Sequence, residues 1–167
     1  MKIFPSDYIR ITNTYPIAAA KAFSTLSPSS TKFNFVHVSG NGADQDESKA
    51  RALFGKVKGR TEKELVEFSA STPELANKFH VYNVRPGYVD PEGQPTPARS
   101  MLKRVAVDGV IGPLLKTFAS SLVSPTSKLS KVLTDLALGD GKPLTGEGIL
   151  DGGRTISTVG ILRLAEA

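Results

Sequence analysis

Apolar residues recur along the chain with two different periods. From Tyr8 to Leu26 they fall at Tyr8, Ile11, Tyr15, Ala18, Ala22 and Leu26, the spacing of one helix face. Pro16 interrupts that face, because it has no backbone N–H and its ring crowds the preceding turn. Either the helix restarts at Asn13 or Thr14 with Pro16 in its first turn, or one long helix bends there. A second helical period, Ala50, Leu53, Phe54, Val57, Thr61, Leu65 and Phe68, predicts a helix from about Ser48 to a stop near Pro73. Flanking it are two short runs, FNFVHV (33–38) and FHVYNV (79–84), rich in aromatic and β-branched residues. Ser39-Gly40-Asn41-Gly42 and Arg85-Pro86-Gly87 stop them. Strand, helix, strand is a βαβ unit, which predicts two parallel strands joined by a right-handed crossover.

Beyond Gly87 the pattern weakens. Pro86, Pro91, Pro95 and Pro97 punctuate YVDPEGQPTPAR and its approach, which reads as a long loop of the kind that covers sites in α/β proteins. Residues 98–107 and 113–123 carry helical spacing. A clearer helix begins at Thr126 or Ser127, turns Leu129, Val132, Leu133 and Leu136 inward and ends at Gly139. Asp151-Gly152-Gly153 is a turn between two short apolar runs, and the segment from Gly148 to Ser157 is a candidate third strand. Residues 159–165 can add a last helical turn or two. The fold class is α/β.

Composition narrows this only a little. At 167 residues and 40% hydrophobic, the chain fits one unit spanning 1–167 with a real core. The absence of cysteine removes disulfides and thiolate chemistry, and favours an intracellular, cytoplasmic setting. The start MKIFPSDYIR has no cleavable apolar core, and no run approaches the roughly 20 apolar residues of a membrane span. The net charge of +5 raises the possibility of a polyanion partner, since Lys49, Arg51, Lys56, Lys58, Arg60 and Lys63 lie close together. Glu47, Glu62, Glu64 and Glu67 are interleaved with them, the pattern of a solvated, ion-paired face, so no nucleic-acid partner is expected.

Candidate chemistry is sparse. The chain contains neither Gly-x-Gly-x-x-Gly nor a Walker A loop. His37 and His80 lie inside the two strands without a partner at ligand spacing, so no metal is expected. What remains is the end of the first strand and the helix after it. A serine at the carboxyl end of a parallel strand faces the crevice where open α/β sheets bind ligands, and Ser39 has that address. Phe54 and Lys58, four residues apart, share a helix face that can aim at the same crevice, and Pro86-Gly87 can line it. Each residue also has a plain structural explanation: Ser39 begins a turn, Phe54 fills core, Lys58 meets solvent.

FVHVSGNGAD, ALFGKVKGRTEKEL and FHVYNVRPGYVDPEG together resemble the short-chain dehydrogenase/reductase superfamily, in its atypical and extended, nucleoside-diphosphate-sugar epimerase-like branch. The resemblance is strongest over residues 33–93; residues 94–167 would then be substrate-side and carboxyl-terminal helices. It implies a partial Rossmann-type sheet lacking the amino-terminal glycine-rich βαβ half. It also implies NAD or NADP as cofactor and a small carbonyl compound or sugar-nucleotide as substrate. Ser39 matches the serine that hydrogen-bonds the substrate, and Lys58 the lysine that binds the nicotinamide ribose and lowers the pKa of the catalytic tyrosine. Arg85, Pro86 and Gly87 match the loop on the cofactor side. Phe54 stands where the tyrosine belongs, and a phenyl ring has no proton to exchange.

These departures predict weak cofactor binding and doubtful turnover by this chain. A non-catalytic binding or regulatory pseudoenzyme is the alternative reading, and a basic nucleic-acid-binding protein a weaker one. The resemblance further predicts that the strand 33–38 has an unpaired edge, covered at most by the helix from Tyr8 to Leu26, through which the chain self-associates.

Overall fold

The computed structural model describes residues 5–26, 32–50, 52–92 and 120–167. The predicted long helix is present as one helical run: α1 (Pro5–Ile9), a π-helical turn (Arg10–Thr14) and α2 (Tyr15–Leu26). Of the two alternatives it is the uninterrupted one, and Pro16 explains the wider turn. The missing Pro16 N–H would have bonded the Thr12 carbonyl, which instead lies 3.1 Å from the Thr61 hydroxyl, a donor it shares with the nearer Val57 carbonyl at 2.8 Å. Asn13 adds a bond from its side-chain amide to Glu64 at 2.8 Å, so this defect is where the helix is fastened to its neighbour.

Strand β1 (Phe33–Val38) and strand β2 (Phe79–Val84) pair in parallel over their whole length, Phe33 opposite Phe79 through Val38 opposite Val84. The helix between them, α3, runs from Leu53 to Ser69, starting later than the apolar spacing suggests. Asp46 is the reason: its carboxylate accepts from the Ser48 backbone and hydroxyl, and its carbonyl from the Lys49 N–H, so these residues form a turn. Pro73, read as a stop, opens a further short helix, α4 (Pro73–Lys78), with the Thr72 hydroxyl capping the Leu75 N–H.

The stretch after Gly87 is not all loop. Strand β3 (Tyr88–Asp90) pairs in parallel with β4 (Val123–Pro125) in a small second sheet. Residues 98–107 and 113–119 lie outside the described residues; Ser120–Leu122 form a 3-10 turn and Val123 begins β4. Helix α5 (Thr126–Leu138) follows, ended at Gly139 as expected. The Asp151–Gly153 turn joins β5 (Ile149–Leu150) to β6 (Thr155–Ile156), and α6 (Thr158–Ala165) ends the chain's described structure. The third strand is β6, parallel to β2, while β5 is antiparallel to β6. The main sheet, in the order β1-β2-β6-β5, is therefore mixed and not purely parallel.

Helices cover both faces of this sheet. Alternate residues of β2 supply both cores, as a doubly covered central strand requires. Phe79 and Val81 meet Ala20 and Leu65, with Ile17, Phe33, Phe35 and Phe68 around them. Tyr82 and Val84 meet Val132, Leu136, Ile156 and Ile161 on the opposite face. Strand β1 is the edge of the sheet, and among the described residues no strand pairs with its outer side. Helix α2 lies on the face of β1, Phe23 stacking on Phe33 at 5.7 Å, and does not supply that missing row of backbone partners.

Candidate functional site

The ends of β1 and β2 are tied together past their ladders. Ser39 N–H donates to the Val84 carbonyl at 2.8 Å and Asn41 N–H to the Pro86 carbonyl at 3.0 Å. The two turns predicted to line a crevice are thereby held side by side at the carboxyl ends of the parallel strands, where open α/β sheets place ligands.

Two helix-interior glycines bring α3 to this point. A Cβ on Gly55 would lie 2.4 Å from the Gly42 carbonyl oxygen, and one on Gly59 only 1.7 Å from that of Asp44. Only glycine at both positions lets the 40–44 backbone lie against the helix. One helix face then presents Phe54 and Lys58 to the strand end. The Lys58 Nζ donates to the Ser39 carbonyl at 2.5 Å and sits 5.0 Å from the centre of the Phe54 ring, a cation–π contact. Gly40 packs under both, since a Cβ there would stand 3.2 Å from the Phe54 ring tip and 3.3 Å from the Lys58 Nζ.

Ser39, Gly40, Phe54, Lys58, Pro86 and Gly87 thus line one cleft of about 470 Å³. Its far wall is Tyr88, Val89 and Leu122, held in place by the β3–β4 pairing and by the Gly87 N–H donating to the Ser124 hydroxyl at 3.3 Å. Phe54 is 42% exposed and belongs to this wall, not to the core. Ser39 is 4% exposed, and its buried hydroxyl has no hydrogen-bond partner among the described residues. A buried, unsatisfied hydroxyl costs about 1–3 kcal/mol. Burial pushes the Lys58 ammonium below the ordinary lysine pKa, with the Glu62 charge opposing it.

Arg85 is not part of the cleft. Its side chain turns to Glu62, one helical turn beyond Lys58, and donates from Nε at 3.0 Å and from an Nη at 2.5 Å. Glu62 is fully buried and Arg85 only 14% exposed, with Asp151 3.7 Å from the same guanidinium. The buried carboxylate thus takes up the guanidinium, so Arg85 stands apart from the cleft that the other candidate residues line. The network extends to Asn83, whose side-chain amide donates to the Glu62 backbone carbonyl and whose oxygen lies 3.1 Å from His37 Nδ1. Both histidines stay within their strands, and among the described residues no group of three or more His, Asp or Glu is placed to hold a metal.

A larger groove of about 680 Å³ lies beside Gln45, Glu47, Arg60, Lys63 and Glu67. Its cations are paired, Arg60 with Glu47 at 2.7 Å and Lys63 with Glu67 at 3.9 Å, as the interleaved charges suggest. Unlike the smaller cleft, it has no buried unsatisfied group converging on it. Among the described residues no helix is long and apolar enough to cross a membrane.

Gly55, Gly59, Glu62, Tyr88, Val89 and Leu122 were not singled out from the sequence. The glycine pair was legible in principle, because two glycines four apart inside an amphipathic helix mark a close backbone approach. Leu122 comes from a distant segment, and no local pattern announces it.

The chain is 37% identical over 158 residues to the botcinic acid biosynthesis cluster B protein 16 of Botryotinia fuckeliana (strain B05.10), covering 89% of this chain and 96% of that protein. It is 28% identical over 175 residues to the leucinostatins biosynthesis cluster protein T of Purpureocillium lilacinum, covering 91% of this chain but 61% of that protein. No family model and no solved structure matches the chain.

Proposed function

The chain belongs to the family of the botcinic acid biosynthesis cluster B protein 16, and we propose that it binds a small carbonyl compound of a secondary-metabolite pathway in the cleft at Ser39. In this reading it is a Rossmann-like relative of the NAD(P)-dependent reductases and epimerases of the short-chain dehydrogenase kind that has kept the binding cleft without the acid/base step. The convergence of Ser39, Lys58, Phe54 and Pro86-Gly87 at the ends of two parallel strands carries this reading. The Ser39 hydroxyl and the Lys58 ammonium supply donors for a carbonyl oxygen, and Phe54, Val89 and Leu122 supply apolar walls. At Phe54 there is no hydroxyl to give or take a proton, so reduction of the bound carbonyl lacks its partner step.

The residues present fit the nicotinamide end of NAD or NADP and not its phosphates. Lys58 and Gly87, both on the cleft wall, would hold that end. No glycine-rich phosphate cradle occurs in the 167 residues. Calorimetry with benzamide, an unreactive stand-in for a small carbonyl compound, tests the reading. Binding that weakens in both Ser39→Ala and Lys58→Met is expected, together with no micromolar affinity for NADH or NADPH. Benzamide binding indifferent to both substitutions would overturn the cleft assignment, and NADPH-dependent reduction of benzaldehyde by the unaltered chain would overturn the role given to Phe54.

A further inference from the structure

We propose that Lys58 captures its carbonyl ligand covalently, as a reversible imine, with the Ser39 hydroxyl handling the oxygen that departs. The inference rests on the cleft assigned above and adds a reaction to it.

What separates Lys58 from the ion-paired lysines is the company its amine keeps; Lys32 too donates to a backbone carbonyl, that of Asp140 at 3.2 Å, but it does not line the cleft. Lys49 pairs with Asp46 at 3.2 Å, Lys131 with Asp135 at 3.0 Å and Lys142 with Asp140 at 2.7 Å. The Asp140 carboxylate raises the Lys142 ammonium above its ordinary pKa, and a protonated amine is no nucleophile. Lys58 forms no ion pair among the described residues; its Nζ donates to the Ser39 carbonyl and meets the face of Phe54, contacts that favour the ammonium but bring no opposite charge to it. The nearest acid along its helix face, Glu62, is bonded to Arg85. Partial burial opposes those contacts, pushing the ammonium below the ordinary lysine value. The amine nevertheless opens onto a cleft of about 470 Å³, large enough for a small carbonyl compound.

The second observation is Ser39, which lines the same cleft and whose hydroxyl, buried behind that wall, has no hydrogen-bond partner among the described residues. The two groups suit the two ends of a carbonyl. The neutral Lys58 amine adds to the carbonyl carbon, and the oxygen, hydrogen-bonded by Ser39, gains a proton to give a carbinolamine. The carbon–oxygen bond then breaks, the oxygen leaves as water, and the nitrogen loses its remaining proton, leaving a carbon–nitrogen double bond. No oxidant or reductant enters, and hydrolysis returns the ligand unchanged. The phenyl ring of Phe54 fits this chemistry, because it shields the imine without competing for the proton.

Reductive trapping tests the proposal. The chain is incubated with equimolar benzaldehyde and sodium cyanoborohydride at neutral pH, and the adducts are mapped by peptide mass spectrometry. Lys58 is expected to be alkylated several-fold faster than Lys49, Lys131 or Lys142. Lys58→Arg should abolish the fast phase, and Ser39→Ala should slow it without lowering the urea unfolding midpoint. Equal rates at Lys58 and the ion-paired lysines would overturn the proposal. Amide shifts at Ser39, Gly40 and Gly87 on adding benzamide separate the two readings. Shifts without selective trapping leave the binding cleft standing and remove the imine; neither shifts nor trapping removes both.

Discussion

Replacing Arg85 by methionine removes the cation from a carboxylate that has no route to water. Glu62 is 0% exposed and receives two bonds from the guanidinium, at 3.0 and 2.5 Å. Asp151, 3.7 Å from the same guanidinium, adds a more exposed and weaker partner on the far side. Breaking a buried pair by deleting one member costs about 3–5 kcal/mol, because the surviving charge is left in low dielectric. Against a typical stability of about 5–15 kcal/mol, that is roughly a fifth or more of the total. With a urea m-value of about 1–3 kcal/mol/M, the unfolding midpoint should fall by roughly 2 M. Glu62→Met combined with Arg85→Met replaces both charges with apolar chains of similar volume, and should lie within about 1 kcal/mol of the original chain or above it. The full double-mutant cycle, read by urea unfolding, then gives a large coupling energy. A loss under about 1 kcal/mol for Arg85→Met, or a double variant as unstable as the sum of the singles, would refute the reasoning.

Gly59→Ala should cost about 1–3 kcal/mol, since its Cβ would fall 1.7 Å from the Asp44 carbonyl oxygen, and amide shifts should spread through residues 40–44; thermal unfolding and NMR check both. Thr61→Val strips the Thr12 carbonyl of its donor at the π turn and should cost about 1–3 kcal/mol by urea unfolding. Burial holds the His37 pKa below its ordinary 6.5 despite its hydrogen bond to Asn83, so the unfolded chain takes up the proton first. Stability should therefore be full above that value and decline as pH falls below it. His37→Gln should flatten this slope, and an unchanged slope would contradict the assignment. Among the described residues no strand pairs with the outer side of β1, and Val38 at its end is 48% exposed; light scattering should show concentration-dependent association that Val38→Lys reduces.

The parts of the fold that local chemistry dictates could be read from the sequence. FNFVHV and FHVYNV are strands because aromatic and β-branched residues fill them and turn residues stop them, and both have the predicted bounds. Pro73 misled because proline is as much at home in the first turn of a helix as after its end. Strand β3 was hidden because three residues carry no period, and its partner β4 lies more than thirty positions away. Of the site, the Ser39, Phe54, Lys58 and Pro86-Gly87 grouping followed from βαβ geometry and helix spacing. Arg85 did not, because its side-chain direction is decided by a buried Glu62 that looks, in sequence, like one more acid on a charged helix.

Chemical-shift mapping on the isotopically labelled chain, titrated with benzamide, tests the central assignment most directly. The account predicts saturable shifts at the amides of Ser39, Gly40, Phe54, Lys58 and Gly87, all lost in Ser39→Ala combined with Lys58→Met. Shifts centred instead on the charged groove of Glu47, Arg60, Lys63 and Glu67, or surviving that double substitution, would contradict it.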